Sequence, residues 1–194
     1  MNKIIITGTS RGIGNAIAKN LLKQNVTVIG ISRKHTIKHK NYFAIFFDLN
    51  DVRNIKKILD DIIFNHKKID AIISSAGYGV FENLENLKEK EVIDFFNVNL
   101  LAHILISKIL VSHFKKKKTG HFIFIGSEAS LKGNQKSTLY SAAKHGLLGF
   151  VKSFREECNK SEIRVTIINP GMVNSSFFKK LKFSPGKSIK NSIK

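Results

Sequence analysis

The stretch TGTSRGIG, residues 7–14, follows directly on the apolar run KIII at residues 3–6 and precedes a segment with helical periodicity. Each glycine has a steric purpose in a strand–loop–helix unit. Gly8 permits a sharp turn out of the strand, Gly12 lets the backbone approach a pyrophosphate, and Gly14 permits close helix packing. Free N–H groups at the helix start also favour an anion there. The stretch predicts a dinucleotide-binding loop, and the alternative is a purely structural glycine-rich turn.

Apolar runs alternate with segments of helical periodicity along the rest of the chain. The apolar runs predict strands at residues 4–6, 26–31, 42–47, 69–74, 121–125 and 163–168. The periodic segments predict helices at residues 15–24, 52–66, 92–114 and 140–159. Strands that are apolar on both faces lie in parallel sheets covered by helices. The sequence therefore predicts an α/β fold, a doubly wound parallel sheet (Rossmann fold) of about six strands with helices on both faces.

Length and composition indicate one domain. The chain has 194 residues, of which 42% are hydrophobic, as in globular proteins. We expect a nucleotide-binding catalytic domain at residues 1–178 and a short polar C-terminal tail at residues 179–194. No run of 18 apolar residues, no signal-peptide pattern and no second cysteine beside Cys158 occur in the sequence. These features favour a cytoplasmic protein that does not associate with a membrane.

The chain is strongly basic, with a net charge of +19 from 33 Lys and Arg against 14 Asp and Glu. One explanation is a nucleic-acid or membrane partner, which predicts salt-dependent binding. The favoured explanation is compositional drift, because Lys, Asn, Ile and Phe are all abundant and residues 115–118 form the one dense basic run. We therefore expect no specific nucleic-acid partner. The seven histidines lack the spacing of metal ligands, so no metal site is predicted.

The end of the second predicted strand bears on which dinucleotide is bound. An acidic residue there would bind the ribose 2′-hydroxyl of NADH. The sequence instead continues as SRK at residues 32–34, with no acidic residue in reach. Arg33 could hold a 2′-phosphate through paired hydrogen bonds, and Arg11 points to the same neighbourhood. This pattern predicts NADPH/NADP+, with NADH as the less favoured cofactor and a solvated Arg33 as the structural alternative.

Several motifs, taken in order, resemble the short-chain dehydrogenase/reductase family over about residues 3–177. They are TGTSRGIG at 7–14, DL at 48–49, SAG at 75–77, VN at 98–99, GS at 126–127, YSAAK at 140–144 and PG at 170–171. The resemblance implies an oxidoreductase that transfers a hydride between nicotinamide and a carbonyl or secondary alcohol carbon. It implies cofactor contacts at Gly8, Ser10, Arg11, Gly12, Ile13, Gly14, Arg33, Asp48, Leu49, Ser75, Ala76, Gly77, Tyr140, Lys144, Pro170, Gly171 and Val173.

Carbonyl reduction also requires a proton at the substrate oxygen. Tyr140 can supply it, but an ordinary tyrosine pKa of about 10 is too high for easy exchange near neutrality. Lys144 follows one helical turn later, and a cation there would lower that pKa. Ser127 would hydrogen-bond the substrate oxygen. As the resemblance implies, Asn99 would hold a water that links Lys144 to solvent, which completes a predicted catalytic set of four residues.

The sequence departs from the family pattern in two places. Ser75 stands where the family usually has asparagine, which is expected to loosen a hydrogen bond near the cofactor. The chain also ends near the point where family members continue into a substrate-covering lid and a seventh strand. We expect a small carbonyl or alcohol substrate and a homodimer through residues 92–114 and 140–159, with a tetramer as the further alternative. The alternative function is a catalytically idle NADP-binding scaffold or a degraded family member.

Overall fold

A computed structural model describes residues 2–133, 135–171 and 173 of the chain. Its centre is a six-stranded sheet with the strand order β3-β2-β1-β4-β5-β6, in which every neighbouring pair is parallel. The strands are β1 (Lys3–Thr7), β2 (Thr27–Ser32), β3 (Tyr42–Phe46), β4 (Ala71–Ser74), β5 (Gly120–Ile125) and β6 (Ile163–Ile168). The strand order reverses direction between β1 and β4, which makes the sheet doubly wound and confirms the predicted architecture.

Five α-helices accompany the sheet in the described part of the chain. They are α1 (Gly12–Lys23), α2 (Ile55–His66), α3 (Glu89–Phe96), α4 (Ala102–Lys117) and α5 (Thr138–Cys158). The helix predicted at residues 92–114 therefore begins earlier and is interrupted. A π-helical turn, Asn97–Leu101, joins α3 to α4, and the Ala102 N–H bonds to the carbonyl of Asn97, five residues back.

Helices cover both faces of the sheet, as predicted, but unequally. On one face α2, α4 and α5 pack together in the larger core. Its buried side chains include Ile55, Leu59, Ile106, Leu110, Leu147 and Val151. On the other face Ala18 and Leu22 of α1 pack on Ile6, Val28 and Ile73. These four helices thus bury apolar stripes on strands that are themselves apolar on both faces.

The segment formed by α3, the π-turn and α4 is the one helix in the described residues that is long and apolar enough to cross a membrane. It spans Glu89–Lys117, 29 residues, and 39% of its most apolar window is buried inside the protein. Ile106, Leu110 and Phe114 lie in the core with at most 1% of their surface exposed. The packing is that of a core helix in a doubly wound fold, where one helical face rests on the sheet.

The glycine loop between β1 and α1 is as tight as its sequence predicts. Gly8 and Gly12 have φ angles of 77° and 63°, in the left-handed region that favours glycine. A Cβ on Gly14 would lie 2.6 Å from the carbonyl oxygen of Gly8. The first turn of α1 therefore packs directly on the loop backbone, and only glycine leaves room for it.

We predict that Gly14→Ala destabilises the protein by about 1–3 kcal/mol, because the added methyl group must displace backbone atoms. Gly149→Ala is the matched control, since Gly149 also lies in a helix but a Cβ there meets nothing within 4 Å. The control should gain about 0.5–1 kcal/mol from helix propensity. Urea unfolding of both variants measures the difference, and equal stabilities would contradict the close packing.

Candidate active site

The carboxyl ends of the parallel strands bring the predicted site residues to one edge of the sheet. Ser127 follows β5 after one residue, and Tyr140 lies in the first turn of α5. The Ser127 hydroxyl lies close enough to the Tyr140 phenol to act on its pKa as a hydrogen-bonding neighbour. Ser127 is itself held from two sides, because its N–H donates to the side-chain oxygen of Asn169 at 3.2 Å and its oxygen accepts from the Ala129 N–H at 3.1 Å. The phenol expected to transfer the proton and the hydroxyl expected to bind the substrate oxygen are therefore neighbours.

Lys144 lies behind this pair, one helical turn further along α5. Its side chain is almost fully buried, and only 5% of the residue is exposed. The ammonium donates a hydrogen bond to the carbonyl of Ile125 at 3.1 Å and lies 5.8 Å from the centroid of the Tyr140 ring. Burial lowers the pKa of Lys144 to about 8. The amine can therefore gain and lose a proton in a range that a surface lysine does not reach.

Asn99 is fully buried in the π-turn, with 0% of its surface exposed. Its amide group donates to the carbonyl of Phe95 at 3.0 Å, and its oxygen accepts the Tyr78 N–H at 3.1 Å. A Cβ on Gly77 would lie 2.8 Å from that oxygen. The expected role of Asn99 in holding a water stays a prediction, and these contacts add a structural role to it. They make Asn99 a clamp between the π-turn and the loop that follows β4.

The loop after β4 is also fastened to the end of β1. The hydroxyl oxygen of Thr7 accepts the N–H groups of Ser75 and Ala76, each at 3.0 Å. Thr7 therefore supplies the strand-to-strand support that the replacement of asparagine by Ser75 was expected to loosen. Thr7 is not among the predicted site residues, although its place directly before Gly8 was an available signal.

Other predicted cofactor residues lie along the same edge in different environments. Ser10 is partly buried, whereas Arg11 and Gly12 are exposed at the start of α1. Ile13 packs with the core under α1, and Leu49 belongs to the larger core. Pro170 accepts the Glu128 N–H at 3.2 Å through its carbonyl, Gly171 lies beside the Glu128 carboxylate, and Val173 is partly buried. The predicted domain boundary at residues 178–179 lies outside the described residues.

The expectation that no acidic residue reaches the end of β2 is wrong. Arg33 lies 3.6 Å from the carboxylate of Asp48, measured from Nη1 to Oδ2. The two meet because β2 and β3 are parallel neighbours, with Ser32 opposite Phe46, so residues that follow each strand share one edge. Their side chains are 72% and 47% exposed. An ion pair this exposed contributes little free energy and leaves Arg33 able to turn toward another anion.

The family of the chain follows from comparison with known proteins. The sequence profile described as short chain dehydrogenase matches residues 2–184. The chain belongs to the short chain dehydrogenase family. One relative, the 3-oxoacyl-[acyl-carrier-protein] reductase of Buchnera aphidicola subsp. Acyrthosiphon pisum, is 34% identical over 183 residues, which cover 91% of this chain and 75% of the relative.

Solved structures of other family members have the same fold. A 4-hydroxyisoleucine dehydrogenase complexed with NADH superimposes with a TM-score of 0.85 at 25% identity, over 90% of this chain and 77% of that one. A metagenomic short-chain oxidoreductase in complex with NADP superimposes with a TM-score of 0.81 at 27% identity, over 89% and 83% of the two chains. The two neighbours carry different dinucleotides, so the fold alone does not select between NADH and NADPH.

In this short chain dehydrogenase the pKa of Tyr140 differs from the sequence expectation. Burial raises the pKa of the phenol above its ordinary value, and the hydrogen bond from Ser127 opposes that rise. Lys144 was expected to lower it. The ammonium bonds to the Ile125 carbonyl and lies 5.8 Å from the centroid of the tyrosine ring, and the effect of burial on the phenol pKa prevails. The protein by itself therefore keeps Tyr140 protonated at neutral pH.

The described residues contain no group of three or more His, Cys, Asp or Glu side chains placed to hold a metal ion. Buried His103 nevertheless lies close to the site, with Nδ1 2.5 Å from the hydroxyl of Ser74. Burial and the nearby charge of Lys144 lower the pKa of His103 to about 3, so the ring stays neutral. Lys144 is consequently the cation of this buried region.

The lowered pKa of Lys144 predicts a specific pH dependence of stability. Between about pH 8 and pH 10 the unfolded chain binds the lysine proton and the folded protein does not, so stability should rise with pH in this window. Lys144→Met removes the titrating group and should reduce that rise by on the order of 2 kcal/mol. Urea unfolding at several pH values, without cofactor, gives the slope.

Lys152→Met is the matched control, because Lys152 lies on the same helix and is exposed. The stability of Lys152→Met should rise with pH as steeply as that of the wild type. A Lys144→Met slope that also equals the wild-type slope would show that the ammonium is not desolvated in the folded protein.

Proposed function

We propose that this short chain dehydrogenase reduces a carbonyl group to a secondary alcohol with NADPH, with Tyr140 as the proton donor. The single observation that supports this most strongly is the meeting of three groups at one sheet edge. The Ser127 hydroxyl is a hydrogen-bonding neighbour of the Tyr140 phenol, and the Lys144 ammonium lies 5.8 Å from the centroid of the same ring. Ser127 follows β5, whereas Tyr140 and Lys144 lie one turn apart on α5. Each group has a separate task in carbonyl reduction.

The glycine loop fits a dinucleotide. A Cβ on Gly12 would meet nothing within 4 Å, so the space above the loop is open, and the N–H groups of the first turn of α1 face it. Bound NADPH supplies the hydride. The residues that would hold it are the loop glycines with Ser10 and Arg11, then Arg33, and the backbone at residues 75–77 that Thr7 fastens.

The protein's own groups then manage the proton and the charge. Tyr140 is protonated at neutral pH because burial raises its pKa, and this is the state that reduction requires. Ser127 donates a hydrogen bond toward the substrate oxygen, where negative charge develops. Lys144, with a pKa of about 8, can supply a proton to Tyr140 after the phenol has donated its own. In the opposite direction the same groups accept the proton of a secondary alcohol.

The substrate class is proposed from the name of a relative, and the assembly from exposed apolar surface. A relative is named 3-oxoacyl-[acyl-carrier-protein] reductase, so 3-oxoacyl thioesters come first in a panel with ketones, aldehydes and quinones. We also propose that the protein is cytoplasmic and that it forms a homodimer through α3–α4 and α5. The reason for the homodimer is an apolar side chain on α3, Ile93, which is 60% exposed. The alternative is a catalytically idle NADP-binding protein. Binding without NADPH oxidation on the whole panel would favour that alternative.

We predict that Tyr140→Phe lowers kcat by at least about a hundredfold, because the proton donor is lost while the ring remains. NADPH affinity should change little. Tyr78→Phe removes the same hydroxyl from a tyrosine whose ring packs on Phe95, and it should retain kcat. Steady-state NADPH oxidation and NADPH fluorescence titration give the two quantities. Full turnover in Tyr140→Phe would remove the phenol from the mechanism.

We predict that Arg33→Asp lowers the preference for NADPH over NADH by about 10- to 100-fold, because a charge-assisted hydrogen bond to the 2′-phosphate is lost and a repulsive charge is added. Lys34→Asp makes the same change in net charge at the next, exposed residue. It should shift the preference much less. The ratio of kcat/KM for the two cofactors is the measurement, and equal shifts in the two variants would assign the effect to general charge.

A further inference from the structure

The connection between β2 and β3 is built from side-chain hydrogen bonds. Residues 33–41, all of which the structure describes, form no helix. The ring of His35 nevertheless contacts three groups. Its Nε2 lies 3.1 Å from the carbonyl oxygens of both Ser32 and Ile45, and its Nδ1 lies 2.6 Å from the hydroxyl of Tyr42. An edge-on contact with Phe46, with centroids 4.6 Å apart, also fixes the ring.

These contacts set the direction of every hydrogen bond in the group. Carbonyl oxygens only accept, so Nε2 of His35 carries the proton in the neutral ring. Nδ1 is then an acceptor, and the Tyr42 hydroxyl donates to it. The Tyr42 oxygen lies 2.8 Å from the hydroxyl of Thr9 and is left to accept from it. The result is a one-way chain from Thr9 through Tyr42 to His35.

The chain is buried where it joins the glycine loop. Thr9 is 0% exposed, and a Cβ on Gly30 would lie 2.2 Å from the Tyr42 hydroxyl and 2.8 Å from that of Thr9. Gly30 therefore leaves the space that the two hydroxyl groups occupy. Burial also raises the pKa of Tyr42, which keeps the phenol a donor. A broken link would leave a buried polar group without its partner, which is costly.

Each end of this hydrogen-bond chain is close in sequence to an arginine. Thr9 precedes Arg11 by two residues in the glycine loop, and His35 follows Arg33 by two residues. Asn15 strengthens the loop end, since its side chain donates to the Thr9 carbonyl at 2.7 Å. The hydrogen bonds thus connect the backbone that carries one arginine with the backbone that carries the other.

We propose that the Thr9–Tyr42–His35 chain is a positioning device that fixes the backbone of the two loops that carry Arg11 and Arg33, so that both side chains can reach a phosphate on the adenosine ribose. The inference rests on the proposed NADPH preference. Loops whose backbone is already placed avoid part of the ordering cost of bringing two cations to one ligand. The chain therefore contributes to the affinity for the 2′-phosphate without touching it.

The test uses 2′,5′-ADP and 5′-AMP as probes, since they differ by the 2′-phosphate and need no hydride transfer. Isothermal titration calorimetry of the full chain gives the affinity ratio of the two probes. Tyr42→Phe and Thr9→Val each delete one hydroxyl with little change of shape. Each should lower the affinity for 2′,5′-ADP about five- to tenfold and that for 5′-AMP by less than about twofold, because one link in the preformed site is lost.

Kinetics provide a readout that a general loss of structure would not give. In both variants the KM for NADPH should rise while kcat at saturating NADPH stays within about twofold, because the chain is remote from Ser127 and Tyr140. The double variant should bind 2′,5′-ADP no more weakly than the single variant with the lower affinity, because both substitutions break the same chain of hydrogen bonds. His39→Gln is the matched control on the same connection, because His39 is exposed and its side chain accepts the Asn41 N–H, outside the Thr9–Tyr42–His35 chain. It should bind both probes as the wild type does.

The outcomes separate the two proposals. A wild type that binds both probes equally would overturn the NADPH preference and this inference with it. A wild type that prefers 2′,5′-ADP, with folded variants that keep the full preference, would overturn this inference alone. Circular dichroism and thermal unfolding establish that the variants are folded. If Tyr42→Phe is unfolded, Thr9→Val carries the test, and a wild-type probe ratio in that variant also overturns the inference.

Discussion

The burial of one ammonium group organises the site of this protein. A lysine that is nearly all removed from water loses hydration energy, and this loss lowers the pKa of Lys144. The compensation is a hydrogen bond from Lys144 to the Ile125 carbonyl, the last residue of β5. This bond ties the start of α5 to the end of a strand. It thereby sets Tyr140, one turn earlier on the helix, against Ser127, which follows that strand.

The same contact explains why two neighbouring groups have pKa values displaced in opposite directions. Burial disfavours whichever form is charged, so it raises the pKa of the Tyr140 phenol and lowers that of the Lys144 amine. At neutral pH the phenol is therefore neutral, whereas the lysine, with a pKa of about 8, is still mostly protonated but gives up its proton more readily than a surface lysine. A site of this kind holds a proton ready on the phenol beside one buried charge on the lysine.

Periodicity and local chemistry explain what could be predicted from the sequence. The apolar runs predicted the positions of all six strands, because a strand that is covered on both faces is apolar at nearly every position. TGTSRGIG and YSAAK located the loop and the proton-transfer residues, because their positions after a strand and at a helix start fix where the side chains emerge. Contacts between distant segments were harder to predict. The Arg33–Asp48 pair depends on the order of β2 and β3, and the Asn99 clamp depends on a π-turn that has no simple periodic signature.

The connection between β2 and β3 shows how side chains take over the work of a secondary-structure element. Helices fasten the other crossovers by burying an apolar stripe, but residues 33–41 offer only Ile37 to the core under α1. A loop held by so little apolar surface would have several conformations of similar free energy. Directional bonds from His35 to two carbonyls and to Tyr42 select one of them. Because that loop also carries Arg33, the same bonds that replace hydrophobic packing define where a cation stands at the edge of the sheet.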